Sequence, residues 1–377
     1  MWEQEHIGVS PLCSFHFTGH GIFREEMHDG GGTAAERSSM EQKVVRVALD
    51  AMGGDNAPAE IVKGATEAVN AHPELAVTLV GREEAIRQEL AKYTYPAEQI
   101  TIVNATEEIS CDEAPVEAVR KKRDSSITVA LNLVRHGECD AFVSAGSTGA
   151  VLAGGVILIG RIRGVERTPL APLIPTENGV SLLIDCGANV DARPSQLVQF
   201  AVMGSIYMKH IVGIENPRVG IVNIGTEEEK GNMLVKETYP LLKERTDINF
   251  IGSVEAREIP AGAADVIVCE AFVGNVILKL YEGLATTLLR KIKQGLTSTT
   301  RSKIGAALAK PALKNTLKTF DTSDHGGAPM LGLNGLVVKT HGNSTSVDIR
   351  NALAQCISFI REDITGKIRD NLGTAVK

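Results

Sequence analysis

Val44-Val45-Arg46-Val47-Ala48-Leu49-Asp50-Ala51-Met52-Gly53-Gly54-Asp55 is the stretch that decides the fold. The run from Val44 to Leu49 reads as a strand, and two glycines hand it over to a helix whose entrance carries Pro58. The arrangement recurs. Four later β-type runs also end in small or polar residues before a helical stretch: Phe142-Val143-Ser144-Ala145-Gly146-Ser147-Thr148-Gly149, Leu183-Ile184-Asp185-Cys186-Gly187-Ala188-Asn189, Val222-Asn223-Ile224-Gly225-Thr226, and Val268-Cys269-Glu270-Ala271-Phe272-Val273-Gly274-Asn275. In open parallel sheets the carboxyl ends of strands form the ligand crevice, so five such exits imply one polar pocket built from distant segments. Glycines and small hydroxyl residues there leave backbone N–H groups free to surround an anion.

Outward from this stretch the pattern keeps alternating. Helices are predicted over 59–71, 82–92, 116–122, 126–135, 150–161, 195–212 and 233–243, and strands over 75–80, 100–103, 140–144, 170–174, 181–185, 219–224 and 266–269. The Pro-bracketed strand at 170–174 can serve as a hairpin arm. The sum is a Rossmann-like, three-layer α/β/α architecture.

Bulk composition agrees. With 377 residues, 43% hydrophobic and 23% charged, the chain can bury a core in one large or two intermingled domains, which excludes a disordered protein. Six cysteines with no C-x-x-C and no partner histidine spacing argue against a disulfide framework and a zinc site, and fit a reducing cytoplasm. No apolar stretch has the roughly 18 residues of a spanning helix, so no transmembrane span is expected. Residues 1–42 mix His6, His16, His20 and His28 with glycines and phenylalanines without a period, and lack a secretory signal's basic start. They read as a disordered extension, with Met40 an alternative start, in preference to a histidine-rich metal tail. The α/β domain is assigned to 43–377.

One segment inside that domain differs in charge. The chain as a whole carries −7, yet 283–320 has no acidic residue and eight basic ones: Arg290, Lys291, Lys293, Arg301, Lys303, Lys310, Lys314 and Lys318. Leu288 with Ile292, Ile304 with Leu308, and Leu313 with Leu317 are i, i+4 apolar pairs, and Gly295-Leu296-Thr297-Ser298 resembles a hairpin tip. Two basic amphipathic helices over 284–320 are predicted. They suit either packing on the body or a second subunit, or a surface for anionic lipid or an acidic protein.

Several familiar sites are missing. The body has no G-x-G-x-x-G, no G-x-x-x-x-G-K-[ST], no H-E-x-x-H and no G-x-S-x-G, which lowers the weight of NAD binding, NTP hydrolysis, zinc proteolysis and a serine hydrolase. What remains is Gly146-Ser147-Thr148-Gly149, Lys230 before Gly231 at a helix entrance, and His341 beside Gly342 at the end of an apolar strand. Each has a bland counterpart: a turn, a solvated loop lysine, a structural histidine.

Taken together, these residues resemble the bacterial phosphate acyltransferase (PlsX) family, the acyl-carrier-protein:phosphate transacylases of phospholipid synthesis. The resemblance runs from about Val44 to the C-terminal helix. It is carried by 47–55, Ser144-Ala145-Gly146-Ser147-Thr148-Gly149-Ala150, Gly160-Arg161-Ile162-Arg163-Gly164, Asp185-Cys186-Gly187-Ala188-Asn189-Val190-Asp191, Asn223-Ile224-Gly225-Thr226-Glu227, Lys230-Gly231-Asn232, Asn249-Phe250-Ile251-Gly252 and Phe272-Val273-Gly274-Asn275-Val276.

The resemblance implies a homodimer with an isopropylmalate-dehydrogenase-like α/β/α fold, related in shape to phosphotransacetylases. It also implies conversion of acyl-ACP and inorganic phosphate to acyl phosphate, used by a membrane glycerol-3-phosphate acyltransferase. The partners expected are acyl carrier protein, phosphate and an anionic membrane touched through Leu288, Ile292, Ile304 and Leu308. No nucleic acid, cofactor or metal is expected. The protein would be cytoplasmic and peripherally membrane-associated.

Phosphate is already anionic and a thiol leaves readily, so no catalytic triad is required. Lys230 is the candidate for binding phosphate and Asn275 for donating to the thioester carbonyl. Asp50, Gly53, Gly54, Ser144, Gly146, Ser147, Thr148, Asn189, Thr226 and His341 are the candidate pocket lining. The chain departs from the family at Ser147, where asparagine is usual, and at Glu270-Ala271, where Asp-Gly is usual. A left-handed backbone at Ala271 would be disfavoured. Alternative functions are a phosphotransacetylase acting on a small acyl-CoA and a noncatalytic membrane scaffold.

Overall fold

Alternate residues of the first strand bury on opposite sides, and this sets the layers. In the computed structural model, which describes residues 44–319 and 326–372, β1 (Val45–Asp50) sends Val47 and Leu49 into one apolar cluster and Ala48 into another. Both faces of the strand are therefore covered, as an apolar parallel strand requires. The expected extension at 1–42 lies outside the described residues.

The elements follow in order. α1 (Ala59–Ala71), β2 (Leu75–Gly81), α2 (Glu83–Leu90), β3 (Ile100–Asn104), α3 (Pro115–Lys121), α4 (Ser126–Arg135), β4 (Ala141–Ser144) and α5 (Thr148–Gly154) form the first half. α5 continues as a wider turn over Gly155–Ile159. β5 (Leu173–Thr176), β6 (Gly179–Ile184), α6 (Pro194–Tyr207), β7 (Arg218–Asn223), α7 (Met233–Lys243), β8 (Asn249–Glu255), β9 (Val266–Val268), α8 (Ala271–Thr297) and α9 (Thr300–Thr319) form the second. β10 (Ala328–Met330), β11 (Leu336–Lys339), α10 (Ser346–Arg361) and α11 (Ile364–Leu372) then return to the first half.

Two sheets result. One has six strands in the order β10-β11-β4-β1-β2-β3, the other five in the order β5-β6-β9-β7-β8. Each is parallel except for one antiparallel edge, β10 on β11 and β5 on β6, which makes β5 the hairpin arm expected at 170–174. The two edges meet through residues 169–172. Ala171 N donates to Pro329 O at 3.1 Å and Leu331 N to Pro169 O at 3.2 Å on one side. On the other, Leu183 N donates to Pro172 O and Cys186 N to Leu170 O, both at 3.0 Å. The strand exits of both sheets thus lie along one rim.

The charged segment also differs from expectation. α8 begins at the site, at Ala271, and runs unbroken through Gly295-Leu296-Thr297, so the turn falls at Ser298 and Thr299. Only Ala271 and Gly274 of this helix are buried. The expected Leu313 and Leu317 pair falls partly outside the described side chains, which do not include Leu317.

α8 is held at its first turn by close approach. A Cβ on Gly274 would lie 1.9 Å from Asp185 O, whereas Gly283 on the same helix has nothing within 4 Å. Gly274→Ala should therefore lower stability by roughly 2 kcal/mol through overpacking, and Gly283→Ala should raise it by up to about 1 kcal/mol through helix propensity. Urea unfolding of the two variants checks this, and equal effects would mean that the first turn of α8 is not docked as described.

Candidate active site

Two buried carboxylates organise the rim. Asp185, at the exit of β6, accepts from Leu170 N at 2.9 Å, Gly187 N and Ala188 N at 3.2 Å, Asn189 N at 2.8 Å and Asn189 Nδ2 at 2.7 Å. Asp50, at the exit of β1, accepts from Ser144 Oγ at 2.7 Å and Met52 N at 3.1 Å, and Ser144 Oγ accepts from Gly146 N at 2.9 Å. Burial pushes both carboxyls up, against the hydrogen bonds that favour the charged form. These internal carboxyl groups occupy the backbone donors that the sequence suggested for a ligand.

That changes the role of several expected pocket residues. A Cβ on Gly53 would meet Asp50 Oδ2 at 2.3 Å and Gly146 N at 2.6 Å, so Gly53 lets two exit loops close on the carboxylate. Gly54, at φ +96°, approaches Gly342 and Ala145 in the same way. The Asn189 amide is engaged by Asp185 and by Thr168 O at 3.0 Å. Ser147 caps α5 by accepting from Ala150 N at 3.4 Å. Asp50, Gly53, Gly54, Ser144, Gly146, Ser147 and Asn189 therefore form the frame behind the cleft and are not among the residues that line it.

The cleft lies where the two sheets meet, with a volume of about 550 Å³. Three expected residues line it: Thr148 from the start of α5, Asn275 from the first turn of α8, and His341 after β11. Asn275 makes no side-chain hydrogen bond among the described residues and is exposed, so its amide is available to a ligand. Leu170, Pro172, Leu173 and Ile174 give one apolar wall, and Leu278, Tyr281 and Ala285 of α8 give another. Tyr281 is pinned by donating to Pro175 O at 2.9 Å. Lys279 Nζ pairs with Glu282 at 2.8 Å, and His341 Nε2 lies 3.9 Å from the same carboxylate, bridging the cleft from β11 to α8.

Glu270 and Ala271 settle the departure in this loop. Glu270 caps α8 by accepting from Phe272 N and Val273 N, and Ala271 is the first helical residue. The right-handed backbone suits alanine, so the left-handed geometry considered from sequence does not arise.

Lys230 is placed elsewhere. Its ammonium pairs with Glu227 at 2.7 Å, it is about half exposed, and neither it nor the exposed Thr226 lines the cleft. Lys230 follows the exit of β7, where Asn223 Nδ2 holds its carbonyl at 3.1 Å.

The cation in the cleft is one that sequence reasoning passed over. Lys339, the last residue of β11, is 7% exposed and lines the cleft. Its ammonium donates to Ala145 O at 3.3 Å and to Thr340 O, and has no ion pair among the described residues. The signal was a lysine closing the apolar run Leu336-Val337-Val338, two residues before the His341 that drew attention. Desolvation lowers Lys339 to about 8 from its ordinary 10.5, with Lys279 lowering it further while Asp50 and Cys111 raise it. Cys186 also lines the cleft, but burial pushes its thiol well up, so it offers no thiolate nucleophile.

Lys339 gives stability a pH dependence of definite sign. Below pH 8 both folded and unfolded chains hold the proton, and its contribution is flat and unfavourable. From about 8 to 10.5 the unfolded chain holds more of it, so stability from this residue rises with pH, by up to about 3 kcal/mol. The unfolding free energy of the wild type minus that of Lys339→Met, from chemical denaturation between pH 7 and 10, should increase. A flat difference would contradict a desolvated ammonium.

Solved structures and sequence relatives agree on what this frame is. A phosphotransacetylase from Streptococcus pyogenes superposes with a TM-score of 0.56 at 21% identity, covering 84% of this chain and 94% of its own. The EutD phosphotransacetylase from Staphylococcus aureus gives 0.53 at 18% identity with the same coverage. Both show the shared α/β fold. Residues 45–367 match the family described as fatty acid synthesis protein. A phosphate acyltransferase from Clostridium beijerinckii is 49% identical over 331 residues, 88% of this chain and 99% of the relative. One from Clostridium acetobutylicum is 48% identical over 326 residues, 86% and 98%. The chain belongs to the phosphate acyltransferase (PlsX) family, and it is an acyltransferase.

Proposed function

We propose that this acyltransferase moves a long-chain fatty acyl group from acyl carrier protein to inorganic phosphate, and that the acyl phosphate is consumed in phospholipid synthesis by a membrane glycerol-3-phosphate acyltransferase. The family membership supports acyl transfer to phosphate; the donor is read from the shape of α8. That one helix carries Asn275 in its first turn, then Leu278, Tyr281 and Ala285 on the cleft wall, then Leu284, Leu288 and Ile292 at 64%, 56% and 42% exposure. At 1.5 Å per residue the span from Asn275 to Ile292 is roughly 25 Å, so a single rigid element joins the reaction centre to an apolar, basic surface. A small, freely soluble acyl-CoA has no use for that surface. The scaffold reading is set aside by membership in an enzyme family.

The balance of the reaction needs little from the protein. An oxygen of the phosphate dianion attacks the thioester carbon, the C–S bond breaks, and the sulfur leaves with the electron pair and takes the phosphate hydroxyl proton. The products are acyl phosphate and free thiol. Asn275 is the donor for the developing oxyanion, a contribution worth several kcal/mol in comparable sites. The apolar walls exclude water that would hydrolyse the acyl phosphate.

α8 is also, by length and composition, apolar enough to cross a membrane, with an 18-residue window averaging 1.2 in hydropathy, against the expectation of no such segment. Its docked first turn and the basic Arg290, Lys291 and Lys293 suit a helix lying on an anionic surface instead. On α9, Ile304 and Leu308 are 60% and 81% exposed. In this reading the protein is cytoplasmic and peripherally membrane-bound. Phe272, Val276 and Leu280, exposed nearer the body, suit the subunit contact of a homodimer.

Two experiments bear on this. Incubation with palmitoyl-ACP and phosphate followed by hydroxylamine should yield palmitoyl hydroxamate; none with ACP but good turnover of acetyl-CoA would replace the donor. Leu288→Glu combined with Leu308→Glu should weaken binding to anionic liposomes at least about tenfold while soluble turnover persists. Unchanged binding would leave the helical pair as a packing element.

A further inference from the structure

The cleft holds two polar groups that the fold leaves incomplete. The Lys339 ammonium is buried on two backbone carbonyls with no carboxylate in ion-pair range among the described residues. Next to it, Thr340 Oγ1 is buried without any hydrogen-bond partner; among the described residues only Ser205 Oγ shares that condition. Both residues line the same wall of the cleft, followed by His341, Gly342 and Asn343, with Thr148 and Asn275 also on its lining. A buried unpaired cation and a buried orphan hydroxyl are each costly, and native proteins keep such groups where something else completes them.

The neighbours narrow what that is. Asp50 reaches Lys339 only through its field, because its oxygens are taken by Ser144 and the backbone. Lys279 on α8 adds a second positive charge, partly offset by Glu282. A cation would be repelled, and a neutral ligand would leave the ammonium uncompensated. We infer that Lys339 Nζ and Thr340 Oγ1 form the oxyanion subsite of the cleft and hold the phosphate dianion. The ammonium's free donor direction and the hydroxyl each take one phosphate oxygen. Phosphate as the anion rests on the acyl-transfer reading above, and the subsite adds Lys339 to Lys230 as a candidate cation that meets it.

Isothermal titration of the full-length protein with inorganic phosphate at pH 7, without acyl donor, tests this. Lys339→Met should weaken binding at least about tenfold and Thr340→Val about three- to tenfold, with Thr340→Ser and Lys339→Arg recovering part of the loss. In turnover assays both loss variants should raise KM for phosphate and leave KM for the acyl donor near that of the wild type. A merely structural role would move both constants and the thermal melt together. Phosphate affinity within threefold of wild type in folded Thr340→Val and Lys339→Met, or a loss confined to Lys230→Met, overturns the assignment. Failure of palmitoyl-ACP turnover with phosphate binding intact at Lys339 would remove the donor and leave this subsite standing. Titration with a nonhydrolysable acyl phosphonate separates the sources of the anion. Binding of the phosphonate through Lys339 without binding of free phosphate would assign the subsite to the product and contradict the nucleophile's place.

Discussion

Asp185 accepts five hydrogen bonds from four residues, and through them it holds the rim together. Leu170 belongs to the seam between the two sheets, and Gly187, Ala188 and Asn189 to the loop leaving β6. Asn189 in turn accepts from Ala271 N at 3.0 Å, which fixes the start of α8. Removing this carboxylate would orphan donors in two separate segments at once, each at a cost of about 1–3 kcal/mol. Cleft wall, seam and the helix that carries Asn275 therefore share one anchor.

Asp50 does the same for the other sheet, and the pair explains the division of labour at the site. A ring of backbone donors at strand exits is an anion nest, but here the protein's own carboxylates fill the nests. In the proposed site the external anion is met by side chains. Lys339 ends β11, the last parallel strand before the seam, and Thr340 follows it.

Much of this could be read from the chain. The buried parallel strands β1, β2, β4, β6, β7 and β9 announced themselves through apolar runs closed by small residues, but the exit of β7 does not line the cleft that the five exits were expected to build. β10 has only three residues with a proline among them, and β8 is broken by Gly252 at φ +101° with Ile251 exposed, so neither showed strand periodicity. The split into two sheets depends on backbone pairing at 169–172, which no side-chain pattern records. At the site, Thr148, Asn275 and His341, singled out for their types and positions at strand exits, line the cleft. Lys339 escaped because a lysine ending an apolar run looks like a solvent-facing terminus; it is flanked instead by Ala328 of β10 and by Ser144 and Ala145 at the end of β4, the latter two distant in sequence. The glycines were noticed for the right geometry and the wrong anion, since Gly53 and Gly146 close on Asp50.

The central claim is that side chains at the end of β11, and not backbone nests, receive the reactive anion. The most direct measurement is a crystal structure of the protein soaked with tungstate as a phosphate mimic, with the metal located by its anomalous signal. The expected position is within hydrogen-bonding distance of Lys339 Nζ and Thr340 Oγ1, on the cleft side of Thr148 and Asn275. Tungstate beside Lys230, or in the loops around Gly146 or Ala188 with the Lys339 wall empty, would contradict it.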